Sequence, residues 1–153
     1  MHLAGETEIA ATRLRVWETI SNPHRAAESN SAGQAQIEKI DYRHYRVSVS
    51  PPAAMIPMNV VLDLELTEID EPNRIAATVS GAIMGGPVTG AGAIDLAELG
   101  PKETRATWVA DVTLGGMLGA FESMVHGPLQ QAADQAFASL KERLEAEEAA
   151  AGA

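Results

Sequence analysis

The sequence predicts an α+β fold in which an antiparallel sheet of about seven strands curves around a long C-terminal helix. Two changes of hydrophobic period support this prediction. From Thr104 to Leu114, apolar and polar residues alternate with the period of two that is typical of a half-buried strand. From Met117 onward, apolar residues recur every three to four positions, as in an amphipathic helix. Short connections between successive strands favour an antiparallel meander over parallel crossovers.

The N-terminal part of the chain predicts one strand and two short helices. The strand covers Leu3–Ala10. Thr12 is a suitable N-cap for a helix that runs to Ile20 and ends before Asn22-Pro23, because a residue that precedes proline disfavours helical geometry. A second short helix is expected to open at Pro23.

Closely spaced strands then lead to the final helix. Turn-forming residues separate them, for example at Asp70-Glu71-Pro72-Asn73, and Pro51-Pro52 ends one strand because proline cannot donate to a ladder. The predicted strands are 34–40, 45–49, 58–67, 75–83, 88–99 and 104–114.

The final helix contains a proline. Gly127-Pro128 predicts a kink or a restart, with Met117–His126 as a separable lid, or alternatively a static kink without motion. Glutamates from Glu145 onward lie where the helix dipole disfavours negative charge, so this end is expected to fray. Residues 1–148 are expected to form one domain, followed by a disordered tail at 149–153.

Composition restricts the function. The chain has 153 residues, enough for one domain with a real core. It contains no cysteine, which excludes disulfides, thiolate nucleophiles and cysteine-bound metals. The N-terminus does not resemble a signal peptide, and no apolar run approaches the ~20 residues of a membrane span. A cytoplasmic protein is therefore expected.

The net charge is −10, and the excess lies in residues 51–153. This balance argues against nucleic acid as a partner and disfavours a general attraction to anionic lipid. Four arginines in the first part of the chain could still form a basic patch for an acidic partner, or could simply solvate the surface. They are Arg13, Arg15, Arg25 and Arg43.

Several short motifs together resemble the CoxG family of carbon monoxide dehydrogenase subunits, a branch of the START-like SRPBCC proteins. The order and spacing of the motifs carry the resemblance over nearly the whole chain. They are Gly5-Glu6, Val16-Trp17, Asn22-Pro23, Asp70-Glu71-Pro72-Asn73, Gly90–Leu96, Val112–Gly116 and Asp134–Phe137.

This resemblance implies a helix-grip fold, related to Bet v 1, in which the sheet grips the C-terminal helix around a hydrophobic cavity. It also implies an accessory role beside a molybdenum hydroxylase such as aerobic carbon monoxide dehydrogenase, in assembly, membrane recruitment or electron delivery to quinone. The sequence departs from the family where many members carry a Pro-Gly-Cys type loop, since it has Asn30-Ser31-Ala32-Gly33 there. It also ends in an acidic, alanine-rich tail. Membrane contact is therefore expected to be at most peripheral, at the inner face.

Glycines in the fifth and sixth strands indicate missing side-chain volume. Gly90-Ala91-Gly92 is not a nucleotide-binding loop, because no third glycine and no helix follow it. Glycine within a strand permits sharp bending or a close approach of another group. We expect a curved sheet with a cavity beside Gly90 and Gly92; the alternative is ordinary curvature with the helix filling the space.

The expected ligand is an apolar small molecule, lipid-like or quinone-like, in a pocket of ~300–1,000 Å³. Methionines in the wall could adapt to an irregular shape. The entrance would lie between Met117–Val125 and the hairpin tip Ser50–Met58. The candidate ligand-binding residues are Trp17, Val47, Leu62, Leu64, Val79, Met84, Gly90, Gly92, Trp108, Met117, Phe121, Met124 and Val125.

The sequence predicts no catalytic residue, metal ligand or cofactor. His24 and Glu28 are too few for a metal site, and His44 is expected to face solvent. His126 could border the cavity mouth, but a general acid–base would need an oriented partner that the sequence does not supply. A non-enzymatic binding protein is therefore favoured. The alternatives are a small cavity enzyme, such as a cyclase or dehydratase, and a module that only docks another protein.

Overall fold

A computed structural model of the chain describes residues 1–22, 34–50, 60–83 and 86–151. Within these residues it contains seven strands, two α-helices and one 3₁₀ helix. The strands are β1 His2–Ile9, β2 Gln34–Lys39, β3 His44–Ser50, β4 Val60–Asp70, β5 Arg74–Ile83, β6 Gly86–Gly100 and β7 Glu103–Leu114. The helices are α1 Arg13–Ile20, the 3₁₀ helix Gly116–Phe121 and α2 Glu122–Ala151.

The seven strands form one antiparallel sheet in the order β1-β7-β6-β5-β4-β3-β2. Consecutive strands from β2 to β7 are neighbours, whereas β1 pairs with β7, so β1 and β2 form the two edges. The predicted fold, an antiparallel sheet with a long C-terminal helix, is confirmed. The second short helix that the sequence predicts from Pro23 lies outside the described residues.

Helix α1 begins where the sequence predicts. Thr12 is the N-cap, and its side-chain oxygen accepts a hydrogen bond from the backbone N–H of Arg15 at 3.2 Å. This bond satisfies one of the donors that the first helical turn leaves free. The helix buries Val16, Trp17 and Ile20 against the rest of the domain.

The hydrophobic core lies at one end of the sheet, where α1 meets the second half of α2. Val16 of α1, Leu144 of α2 and Ile9 of β1 are all 0% exposed. Leu140 and Trp17 belong to the same cluster of buried side chains. Each such aliphatic side chain contributes roughly 1.5–3 kcal/mol when it is fully buried. This end of the molecule therefore fixes the position of α2 against the sheet.

The beginning of the C-terminal helical region differs from the prediction. A 3₁₀ helix comes first, and α2 begins only at Glu122. Gly116 makes the turn out of β7 with a φ of +59°, a region that favours glycine. The predicted restart at Gly127-Pro128 is wrong, since α2 runs through both residues. Pro128 removes only the one hydrogen bond that its missing N–H would donate, and the neighbouring bonds carry the helix across.

One side of α2 covers the free edge of strand β1. Five polar side chains at helical spacing bond to backbone groups of the N-terminal segment, and we name them the edge ladder. His126 Nε2 donates to His2 O (2.9 Å), Gln130 bonds to both Ala4 N (3.3 Å) and Ala4 O (2.9 Å), Lys141 Nζ donates to Glu8 O (2.7 Å), Glu145 Oε2 accepts from Ala10 N (2.9 Å) and Glu148 Oε1 accepts from Thr12 N (3.2 Å).

The edge ladder satisfies backbone groups that an edge strand otherwise leaves unpaired. It also orders the end of α2. Glu148 is only 8% exposed, and its second oxygen accepts from Arg15 Nε at 2.7 Å. The expected fraying from Glu145 is therefore wrong for these glutamates, because their charges meet hydrogen-bond donors that offset the unfavourable helix dipole. The predicted tail starts within α2, which extends to Ala151.

In the part of the chain that the structure describes, no helix combines the length and the apolar character that crossing a bilayer requires.

Candidate ligand-binding cavity

A cavity of about 520 Å³ lies over the inner face of the sheet, between the sheet, the end of α1 and the middle of α2. Its described lining belongs to strands β2 to β7 and to one residue from each α-helix. The lining residues are Ile20, Ile37, Val47, Leu64, Leu66, Ile75, Ala76, Ala77, Val79, Gly90, Ala91, Gly92, Ala93, Ile94, Trp108, Val109, Ala110, Val112 and Phe137.

The floor of the cavity is a row of small residues that runs across the strands. Ala77 of β5 is paired with Gly92 of β6, and Gly92 with Ala110 of β7. A Cβ atom at Gly92 would lie 3.0 Å from the carbonyl oxygen of Val109 and 3.5 Å from the Cβ of Ala110. Three adjacent positions thus place little or no side chain above the sheet, and this row accounts for the space.

Gly90 contributes differently from Gly92. It is paired with Val79 and Val112, the next row along the strands. A Cβ atom at Gly90 would lie 3.0 Å from Val79 Cγ2 and 3.6 Å from Val112 Cγ2. The two valines therefore close over Gly90 and form a step beside the floor. Gly90 lets these side chains approach each other, whereas Gly92 leaves its row open.

An aromatic pair forms the wall on the β1 side. The rings of Trp108 in β7 and Phe137 in α2 are parallel within 2°, with centroids 5.3 Å apart. Gly5 of β1 is paired with Trp108, and a Cβ atom there would lie 2.7 Å from Trp108 Cε2 and closer still to Nε1. The absence of a side chain at Gly5 is what allows the indole to lie over strand β1.

Six of the sequence-predicted wall residues line this cavity, and they come from five different strands of the sheet. They are Val47, Leu64, Val79, Gly90, Gly92 and Trp108.

The other predicted wall residues lie elsewhere or outside the described part. Trp17 is 3% exposed within the core cluster, and Met124 is 70% exposed. Leu62 lies over Gly81, where a Cβ atom would be 2.8 Å from Leu62 Cδ2. None of these three is among the described lining residues. Met84, the hairpin tip within 51–59 and the side chains of Met117, Phe121 and Val125 lie outside what the structure describes.

Sequence reasoning missed part of the lining. Phe137 belongs to a predicted motif but not to the predicted wall, although it lies three and seven residues before the buried Leu140 and Leu144 and so shares their helical face. That spacing is the signal that identifies it. Ala77 and Ala110 give no signal as single residues, because their importance depends on the register that aligns them with Gly92.

The described lining carries no ionisable side chain, and its only polar side-chain atom is Trp108 Nε1. Strands β3 to β7 have a neighbour on both sides, so their backbone groups are committed to the sheet. Within the described ranges, no group of three histidine or carboxylate side chains is placed to hold a metal ion. The arrangement suits van der Waals contact with an apolar molecule.

Ionisable groups lie instead in surface pairs. His44 Nδ1 is 2.8 Å from Asp41 Oδ1, in the turn between β2 and β3, and both side chains are about half exposed. Asp41 raises the pKa of His44 above its ordinary value of 6.5, mainly through this hydrogen bond. The backbone N–H of Arg43 lowers the pKa of Asp41 in return, helped by His44. His44 therefore faces solvent, as the sequence predicts.

The arginines of the possible basic patch have internal partners. Arg13 Nη1 donates to Asn73 Oδ1 at 2.9 Å, Arg15 bonds to Glu148, and Arg43 Nη1 donates to the carbonyl of Leu66 at 3.1 Å. Arg25 lies outside the described residues. These contacts give the three arginines a role in joining elements of the fold.

Solved structures with similar folds are numerous and distant in sequence. A conserved protein from Geobacillus kaustophilus is 21% identical, with a TM-score of 0.82 over 94% of this chain and 95% of that one. A protein from Chromobacterium violaceum is 15% identical, with a TM-score of 0.74 over 94% and 96% of the two chains. Norcoclaurine synthase from Thalictrum flavum, solved with dopamine and hydroxybenzaldehyde, is 15% identical, with a TM-score of 0.68 over 96% and 87%.

These neighbours are helix-grip proteins of the Bet v 1 type, which confirms the predicted fold. A search of curated proteins found no match. The family model for the carbon monoxide dehydrogenase protein CoxG matches residues 5–145, which include the whole sheet and most of α2. The chain therefore belongs to the CoxG family of carbon monoxide dehydrogenase subunits.

Proposed function

We propose that this protein binds a neutral apolar small molecule, lipid-like or quinone-like, in the cavity above the sheet. The observation that carries the proposal is an apolar cavity of about 520 Å³ with a floor of Ala77, Gly92 and Ala110. A space of this size falls within the range of ligand pockets. Filling it with an apolar molecule removes apolar surface from water at roughly 25 cal/mol per Å².

An enzyme of the cyclase or dehydratase type is the weaker candidate. Such an enzyme needs a general acid or base within hydrogen-bonding reach of its substrate. The described lining has no ionisable side chain. His126, which the sequence places at the cavity mouth, is exposed and bonds to the backbone of β1.

We further propose that the bound molecule serves a molybdenum hydroxylase of the carbon monoxide dehydrogenase type. Membership of the CoxG family supports this partnership, in assembly, membrane recruitment or electron delivery. A binding protein without catalytic groups would act here as an accessory that carries or presents its ligand.

Ligand binding is tested by filling the cavity floor. Ala110→Leu is expected to abolish binding of apolar probes, such as a short-chain quinone or a fatty alcohol, because the longer side chain occupies the space above Gly92. Ala97→Leu makes the same change at an exposed position of β6 and should bind as the wild type does. Native mass spectrometry of the wild type should also show a co-purifying apolar molecule. A wild-type protein that stays empty and ignores these probes contradicts the proposal.

The accessory role is tested by deleting the gene in its host. The hydroxylase should then lose activity with its physiological acceptor. Its activity with a soluble dye is expected to remain if the protein acts in electron delivery, and to fall if it acts in assembly. Unchanged activity with both acceptors contradicts an accessory role.

A further inference from the structure

The cavity wall contains one polar side-chain group whose hydrogen bond is missing. Trp108 is 5% exposed and lines the cavity, yet its Nε1 has no acceptor among the described residues. Nε1 is also not one of the fully enclosed side-chain atoms that lack a partner in the described part of the chain. The indole N–H is therefore unpaired but still open to an incoming atom.

The position of this N–H is fixed. Phe137 stacks on the indole with a 2° angle between the rings, and Gly5 lies close beneath Nε1. A group held in this way does not need to be ordered when a ligand arrives, so little conformational entropy opposes the new bond. Buried tryptophans usually find a partner for their N–H, since an unmade hydrogen bond in an apolar environment is unfavourable.

We infer that the Trp108 N–H selects ligands by donating a hydrogen bond to one acceptor oxygen of an otherwise apolar, neutral molecule. This inference rests on the proposed function and specifies the ligand class. A ketone, a quinone or an ester supplies such an oxygen. A hydrocarbon leaves the N–H unpaired, and a carboxylate would bring a full charge into a wall that offers one neutral donor. Trp108 is thus a specificity-determining residue.

The test compares probes that share one ring system. Fluorenone and fluorene differ by a carbonyl oxygen, and fluorenecarboxylate adds a charge. Wild-type protein should bind fluorenone about fivefold more tightly than fluorene in calorimetric titration, as expected for one net hydrogen bond. Fluorenecarboxylate should bind more weakly than both. Equal affinity for fluorenone and fluorene in the wild type would overturn the inference.

Trp108→Phe removes the N–H and keeps an aromatic ring against Phe137. This variant should lose the preference for fluorenone while its affinity for fluorene changes by less than about twofold. Trp17→Phe is the matched control, because Trp17 is buried in the core and is not among the described lining residues. It should keep the preference. A Trp108→Phe protein that still favours fluorenone overturns the inference.

A second reading uses the unmodified wild type, in case Trp108→Phe does not fold. The chain has two tryptophans, so its indole N–H signals can be assigned in NMR spectra with the Trp17→Phe variant. Fluorenone should shift the Trp108 N–H signal downfield, and fluorene should not. A downfield shift with neither probe, although both bind, contradicts the inference alone. Failure of every probe to bind contradicts the proposed function as well.

Discussion

Two glycines in this protein require opposite arguments. At Gly5, an added Cβ atom would lie 2.7 Å from Trp108 Cε2 and 2.8 Å from Cζ2 of the same ring. At Gly127, in the first half of α2, nothing lies within 4 Å of the added atom. The first glycine is needed for packing, whereas the second only weakens a helix.

Gly5→Ala should therefore destabilise the protein by about 1–3 kcal/mol, because the indole must move away from Phe137. Gly127→Ala, the same change in the helix, should stabilise it by about 0.5–1 kcal/mol. Urea unfolding of the two variants beside the wild type measures both effects. Equal changes in the free energy of unfolding would contradict the role given to Gly5.

At the scale of the element, the edge ladder predicts an asymmetry along α2. Glu148 accepts hydrogen bonds from the Thr12 N–H and from Arg15, and it is 8% exposed. Glu148→Ala leaves both donors without this acceptor and should reduce the free energy of unfolding by about 1–3 kcal/mol. Glu142→Ala, at an exposed position of the same helix, should change it by less than about 0.5 kcal/mol. Similar losses in both variants would show that the ladder contributes nothing specific.

The turn between β2 and β3 predicts a pH dependence. The folded-state pKa of His44 is raised above 6.5 by the Asp41 carboxylate, and Glu65 adds a weaker attraction. Because the pKa is raised, the stabilisation is complete below 6.5 and is lost as pH rises through the folded-state pKa. The pKa of Asp41 is lowered from 3.8, so the pair persists until the pH falls through that lowered value.

Wild type and His44→Gln should therefore differ most in unfolding free energy at about pH 5, and the difference should shrink by about pH 9. Parallel denaturant titrations at the two pH values give the comparison. A difference that grows with pH would mean that the pair does not act as described.

At the scale of the whole molecule, alternation in the sequence is sufficient to predict the strands and the inner face of β7. Trp108, Ala110 and Val112 share the predicted face and all line the cavity. The N-cap at Thr12 is likewise predictable, because capping depends on neighbours within four residues. Features with a local physical cause can be predicted.

Features that depend on distant parts of the chain cannot. The edge ladder joins α2 to a strand more than 120 residues earlier, as in the contact between His126 and His2. The floor of the cavity requires the register of three strands, and the stack of Trp108 on Phe137 requires the seating of α2. Met124 has the right spacing for an inner helix face but is 70% exposed, because α2 lies along the β1 edge.

The central claim is that an apolar molecule occupies the space beside Trp108, and tryptophan fluorescence tests it most directly. Trp17→Phe leaves Trp108 as the only tryptophan, and Trp108→Phe leaves Trp17, which is 3% exposed in the core. A short-chain quinone, which quenches on contact, should quench the first protein saturably and leave the second nearly unchanged. Absent quenching, or equal quenching in both proteins, would contradict a ligand in this cavity.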